Sequence, residues 1–346
     1  MRTEPRGIMS VVNNTHLKKT SRRLSLVEVC AGAGGLTLGL ERAGFDPVLL
    51  VEQNPHACDT LSLNRPEWPV ARMDVTNFDP CDYPQVYDVD LLAAGTPRLA
   101  SMANPNKPDG NKAELKVLHD TVMLIHGIQP RAVLVENVPA LVNDLRLQDD
   151  RLKIEAELRH LGYCSRWFII NAIEHGVHQR RPHGILVAFK GNALDGFKEP
   201  ERLTAPALTV GEVLLDSMSA GGWPDVMRWS AHANQVAPTI VGGSEKHGGP
   251  DLGPTGTKKI WARLGINGST VAGEVPGPDF RWDPNLEPKV GMMPLTTEQV
   301  AILQGFPADW NFAGKKTRRF RQIGNACPPP LAEAIGRSIY AALGKS

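Results

Sequence analysis

Cysteine is scarce in this chain of 346 residues, five in all, and no two of them stand in a C-x-x-C pair. An odd count without paired spacing argues against a disulfide framework and against a structural zinc site. A reducing compartment is therefore expected, and no metal. An apolar run near the ~20 residues needed to span a bilayer is also missing, which excludes a membrane-spanning helix. So is a charge excess: 38 Lys and Arg balance 37 Asp and Glu, leaving a formal charge of +1. Any affinity for nucleic acid must then come from a local patch. The first two dozen residues are polar and basic, ending in Lys18-Lys19-Thr20-Ser21-Arg22-Arg23, with no apolar stretch of the kind a secretory signal carries. They read as a tail, residues 1–23. No internal repeat is visible.

What is present is an alternation of strands and helices. Residues 24–30 form an apolar strand-like run. After it come Ala31-Gly32-Ala33-Gly34-Gly35 and then Leu36, Leu38, Leu40 and Ala43 at helical spacing. Strands are expected over 47–52, 70–75, 86–93 and 131–135, with helices over 55–64, 114–128 and 150–161. Apolar runs at 167–172 and 184–189 complete the sheet. Strand, helix, strand in register implies right-handed crossovers and a mainly parallel sheet. From about Gly191 glycine and proline become dense and helical periodicity fades until Thr296, most extremely at Gly242-Gly243-Ser244-Glu245-Lys246-His247-Gly248-Gly249-Pro250. Such a segment is either an irregular insertion or a loop-rich binding lobe. Helical character returns at 297–303 and 330–343. Lys315, Lys316, Arg318, Arg319 and Arg321 surround Phe320 in a basic cluster that reads as a solvated loop or as a nucleic-acid contact.

A glycine turn after a first strand lets the backbone approach a nucleotide-like ligand, and a carboxylate ending the second strand can accept from ribose hydroxyls. Gly32, Gly34 and Gly35 with Glu52 meet that description; a tight turn with no ligand is the alternative. Counting G-x-G-x-x-G from Gly32 puts Thr37 at the third glycine position, which favours an adenosyl group over a dinucleotide. Asp74, ending the third strand, is placed to accept from an adenine amino group. Glu136 and Asn137 end the strand after Arg131, where open α/β sheets hold their ligands.

In order along the chain, these segments resemble the DNA (cytosine-5)-methyltransferases. Glu28-Val29-Cys30-Ala31-Gly32-Ala33-Gly34-Gly35 is similar to the family's cofactor motif, and Glu52 and Asp74 match its next two acidic positions. Val135-Glu136-Asn137-Val138 matches ENV, and Gln179-Arg180-Arg181-Pro182-His183 is similar to Q-x-R-x-R. Gln304-Gly305-Phe306-Pro307 and Gln322-Ile323-Gly324-Asn325-Ala326-Cys327-Pro328-Pro329 resemble the last two motifs. The resemblance runs from Leu26 to Ala341. It implies a Rossmann-like, doubly wound α/β sheet of the class I adenosylmethionine-dependent type over 24–190, a smaller target-recognition lobe over 191–295, and a segment over 296–346 that returns to the cofactor domain. It also implies S-adenosylmethionine at Cys30, Gly32, Gly34, Gly35, Glu52, Asp74, Pro97 and Asn325. Double-stranded DNA as partner, a cytoplasmic, nucleoid-associated location, and a cognate restriction endonuclease in the same system follow from the family setting.

In that family a thiolate adds to cytosine C6, a carboxylic acid assists at N3, and the base is first flipped from the duplex. By resemblance Glu136 is the N3 partner, Asn137 shapes its loop, and Arg181 with His183 holds the cytosine or its phosphate. The thiol would follow Pro97, yet Arg98 stands there. A guanidinium has no lone pair to donate and stays protonated. Near Glu136 it would also favour the ionised carboxylate over the acid. Leu99 and Ser101-Met102 depart from the usual neighbours, Cys30 stands where many members carry phenylalanine, and His183 replaces a fixed fork of donors with a titrating ring. Cys30, Cys58, Cys81, Cys164 and Cys327 read as buried or incidental, so none is expected to replace the thiol. The resulting expectation is a cytosine-5 scaffold with transfer abolished or severely impaired. The alternatives are a non-catalytic cofactor- and DNA-binding relative, methylation by a rearranged route, and an adenosylmethionine enzyme acting on another substrate through Arg98. An oxidoreductase is disfavoured by the glycine spacing.

Overall fold

The computed structural model describes residues 23–99, 111–243 and 249–344. Residues 1–22 of the N-terminal tail, Ser101-Met102 and residues 244–248 of the glycine-rich run lie outside the described residues.

Seven strands make one sheet: β1 Leu24–Val29, β2 Phe45–Glu52, β3 Val70–Arg72, β4 Leu91–Gly95, β5 Ala132–Asn137, β6 Tyr163–Asn171 and β7 Pro182–Lys190. Their order is β3-β2-β1-β4-β5-β7-β6. The first five run parallel, while β7 pairs antiparallel with both β5 and β6. This is the mixed, mostly parallel sheet of a class I methyltransferase. Val27, Val29, Val51, Leu92, Val133 and Val135 are buried on one face, as expected when helices cover both sides of a parallel sheet. Strand order reverses between β1 and β4, and the crevice at that switch point is where such sheets bind ligands.

The boundaries depart from expectation for local reasons. β2 begins at Phe45 rather than Pro47, and its register against β1 slips between Leu26 and Val27, opposite Pro47; proline has no N–H to give the ladder. β4 begins at Leu91 rather than at residue 86, because Pro84–Val86 is a 3₁₀ turn and Asp88 takes a positive φ of 52°. β6 begins at Tyr163, earlier than the apolar run at residue 167 suggests, since its first residues alternate buried and exposed.

Helix α1 (Gly35–Ala43) starts from Gly34 in the left-handed region, φ 84°. A Cβ on Gly35 would stand 2.2 Å from the Cys327 carbonyl oxygen, so glycine here is what allows the C-terminal segment to lie against the cofactor turn. The final helix, Pro329–Leu343, then packs along α1.

The segment after Gly191 is more helical than its composition suggests. It contains Val210–Ser219, Val226–His232, Thr255–Arg263 and Pro288–Gly291. These helices are too short for a periodic signal to accumulate, and buried Trp223, Trp229, Trp261 and Trp282 organise them. One hydrophobic cluster runs from these tryptophans through Phe306, Phe320 and Ile323 to Leu38, Leu50 and Leu61 beside the sheet. The basic cluster likewise lies on a helix, Lys316–Asn325, with Phe320 and Ile323 on its buried face, rather than on a loop.

Candidate active site

The carboxyl ends of β1, β2, β4 and β5 open onto a cavity of about 410 Å³, within the range of small-molecule sites. Cys30, Gly32, Gly35, Glu52, Asp74, Pro97, Arg98, Glu136 and Asn325 all line it, with Arg318, Arg321 and Gln322 closing the side formed by the C-terminal segment. Gly34 lies behind, packed on Leu61 and Trp310.

On the cofactor side the polar groups are preorganised. Glu52 accepts from the Gly32 amide through Oε2 and from the Asn54 amide through Oε1, each at 2.7 Å. Burial raises its pKa, and those amides pull the other way. Asp74 Oδ1 caps the following turn by accepting from the Thr76 amide and hydroxyl, both at 2.9 Å. Cys30 sits at a positive φ of 56°, and burial pushes its thiol up to about 12. The Cβ direction of Gly32 meets nothing within 4 Å, so the turn leaves open space for an adenosyl group.

On the other side, Asn137 pins the loop after β4. Its Nδ2 donates to Thr96 Oγ1 at 2.8 Å and to the Pro97 carbonyl at 3.1 Å, and its Oδ1 accepts from the Leu99 and Val138 amides. Arg98 is thereby held at the cavity wall, where burial lowers its pKa and the Glu136 charge raises it. Glu136 has a direct partner, His183, whose Nδ1 lies 2.5 Å from Oε1. Burial pushes His183 down while Glu136 pulls it up. Its Nε2 is buried and unpartnered.

Arg181 is buried, and its Nη1 donates to the carbonyls of Ile240 at 2.7 Å and Gly324 at 2.8 Å, while Nε has no partner. It therefore ties the segment around Ile240 to the helix Lys316–Asn325. Gln179 makes a similar tie, accepting from the Ile240 amide and donating to Gln304. Two residues were assigned no role in the sequence reading. Glu28, buried against Thr37 at 2.7 Å, has its carboxyl pushed up to about 8 by burial. Cys327, expected to be incidental, lines the cavity beside Glu136 and His183. Burial holds its thiol well above the usual range, which makes it a poor nucleophile at neutral pH. Its place after Gly324-Asn325-Ala326 was the only available signal.

A nucleotide-type crevice at the switch point, with an acidic ENV loop facing it, defines a methyltransferase of the adenosylmethionine class. The profile of the C-5 cytosine-specific DNA methylases matches residues 24–341, and the chain belongs to that family. The Type II methyltransferase M.NaeI of Lentzea aerocolonigenes is 42% identical over 325 residues, 92% of this chain and 75% of that one. M.NgoMIV of Neisseria gonorrhoeae is 40% identical over 323 residues, 92% and 98% of the two chains. The structure of a Spodoptera frugiperda DNMT2 mutant shares the fold, with a TM-score of 0.61 at 16% identity over 92% of this chain and 99% of that one. The family's methyl donor, S-adenosylmethionine, fits the glycine turn and its Glu52 tether. No helix among the described residues is long and apolar enough to cross a membrane.

Proposed function

We propose that this chain binds S-adenosylmethionine and duplex DNA as a cytosine-5 methyltransferase does, but transfers methyl groups to cytosine poorly or not at all. The observation that carries the reading is Arg98, held at the cavity wall by the Asn137-pinned loop where the family places its thiol. The bound cofactor supplies an electrophilic methyl group. Cytosine C5 must be activated by addition at C6 before it can accept that group, and a protonated guanidinium has no electron pair to add. Glu136 is committed as a hydrogen-bond partner of His183. Assistance at cytosine N3 is thus weakened at the same time as nucleophilic attack is lost.

Arg181 positions the pocket by bridging Ile240 and Gly324, and the loop-rich segment after Gly191 serves target recognition. Base flipping accompanies binding if the scaffold works as in the family. The relatives' Type II names favour a partner restriction endonuclease, and the location proposed is the cytoplasm, where DNA and cofactor meet. A direct test is equilibrium binding of S-adenosylmethionine and of duplex DNA by the purified chain, alongside transfer from tritiated cofactor. Binding of both with no label in DNA is expected. Label at cytosine C5 at rates usual for the family would overturn the proposal.

A further inference from the structure

The cofactor turn and the base side share one cavity, and the charges along its wall are unevenly answered. Glu52 is met by backbone amides and Glu136 by His183 Nδ1. Arg98 lines the same wall, half-buried, and its guanidinium makes no hydrogen bond or ion pair with any described residue. Its charge is felt nearby. After burial it is the largest influence pushing Arg181 down to about 9, and it also opposes protonation of His183, which burial already depresses. Compensating charge is remote or absent on the methyl side of the turn. Burial pushes Glu28 up to about 8, so that its carboxyl is mostly neutral at pH 7. Glu52 ends β2, two strands from β4 in the sheet order, a lateral distance of roughly 10 Å.

We propose that Arg98 biases the cofactor site toward the neutral thioether S-adenosylhomocysteine and against the sulfonium S-adenosylmethionine, so that the chain holds the spent cofactor more tightly than the fresh one. The inference rests on the cofactor reading given above. The two ligands differ by one methyl group and one positive charge, both at sulfur. In a cytosine-5 scaffold the side chain at position 98 is directed at C6 of the ring and the donor sulfur at its neighbour C5, so guanidinium and sulfur face the same small space. Unit charges about 7 Å apart at an effective dielectric of about 20 repel enough to change an affinity roughly 50-fold. Salt screens such a pair little, because both partners are withdrawn from solvent. Glu136 attracts the sulfonium and takes back part of that penalty, which leaves a bias of roughly 10-fold or more. Glu52, Asp74 and Glu114 also line the cavity. They attract the sulfonium whatever stands at position 98, so neutralising that residue isolates its share.

The experiment is calorimetric titration of the purified full chain, without DNA, with S-adenosylhomocysteine, S-adenosylmethionine and sinefungin, whose amino group keeps a positive charge in place of the sulfonium. The unaltered chain should bind the thioether roughly 10-fold or more tighter than either cationic ligand. Arg98→Met keeps much of the side chain's reach without its charge, and Arg98→Gln is a second neutral variant. Each should raise the affinity for S-adenosylmethionine relative to the thioether by roughly 10- to 50-fold, whereas Arg98→Lys should preserve the bias. A cooperative thermal transition and retained binding of the thioether establish that each variant is folded. Equal or tighter binding of S-adenosylmethionine by the unaltered chain, an unchanged ratio in the folded neutral variants, or loss of the bias in Arg98→Lys would overturn the proposal. Binding of neither adenosyl ligand by the unaltered chain would sink the cofactor reading, and this inference with it.

Discussion

The two halves of the pocket rest on neighbouring strand ends, yet their polar groups are in opposite states. On the cofactor half, Glu52 has both oxygens engaged by backbone amides, and the glycine turn is held by them. On the base half, Arg181 Nε and His183 Nε2 are both buried without partners. Buried polar groups are normally paired, and exceptions collect where a ligand or a strained function belongs. The contrast separates two physical tasks. Holding an adenosyl group needs a rigid turn that is complete before the ligand arrives, whereas handling a base needs groups that wait for it. Arg98 and His183, the residues on which the proposed loss of transfer rests, lie on the second half.

The strongest way to break this contrast is Arg98→Cys. If the base half is intact apart from its thiol, the variant should raise tritium transfer to duplex DNA by on the order of 10³-fold or more, the scale on which removal of a catalytic nucleophile acts. No gain in a folded, cofactor-binding variant would place a second lesion at His183. Next in size is Glu52→Ala, which removes a charged partner from the Gly32 and Asn54 amides. Cofactor affinity should fall roughly 10- to 100-fold, the value of a charge-assisted hydrogen bond or two, with DNA affinity little changed; calorimetric titration of each ligand reads the difference.

Asn137→Ala should cost stability on the base half alone, because the Leu99 and Val138 amides lose their acceptor. A loss of about 1–3 kcal/mol is expected from denaturant unfolding, and cofactor affinity should hold. The last effect is graded, and it concerns pH. Glu28 has its pKa raised from 4.5 to about 8, so between those values the folded state holds a proton that the unfolded chain has released. Its contribution is therefore fully present below about pH 4.5 and is lost as pH rises toward 8, by up to roughly 1.4 kcal/mol per pH unit. His183 acts in the opposite sense. Its depressed pKa removes stability as pH falls below about 6.5. Glu28→Gln should flatten the alkaline slope between pH 6 and 8 and leave the acid slope in place, as read by unfolding midpoints across that range.

Most of the strand and helix alternation was legible because apolar runs in a parallel sheet are continuous and their helices are long enough to show a period. The misreadings came where local rules compete. Proline at position 47 breaks a ladder without ending the strand, and the turn at Pro84–Val86 postpones β4. In the segment after Gly191, helices of ten residues or fewer are held by tryptophans from distant positions, which no short window registers. The glycine turn, Glu52, the ENV pair and the arginine after Pro97 were readable as residue types at fixed spacing.

The amino-acid order by itself determined the family, the glycine turn and the arginine after Pro97, since each is a matter of residue identity and local spacing. Only the tertiary structure decided that Glu136 pairs with His183 across adjacent strands and that Arg181 is committed to the Ile240 and Gly324 carbonyls. It also decided that Cys327 stands beside them. Those contacts span from 47 to 191 residues of chain, and they exist because β7 inserts antiparallel beside β5 while the C-terminal segment folds back over the glycine turn.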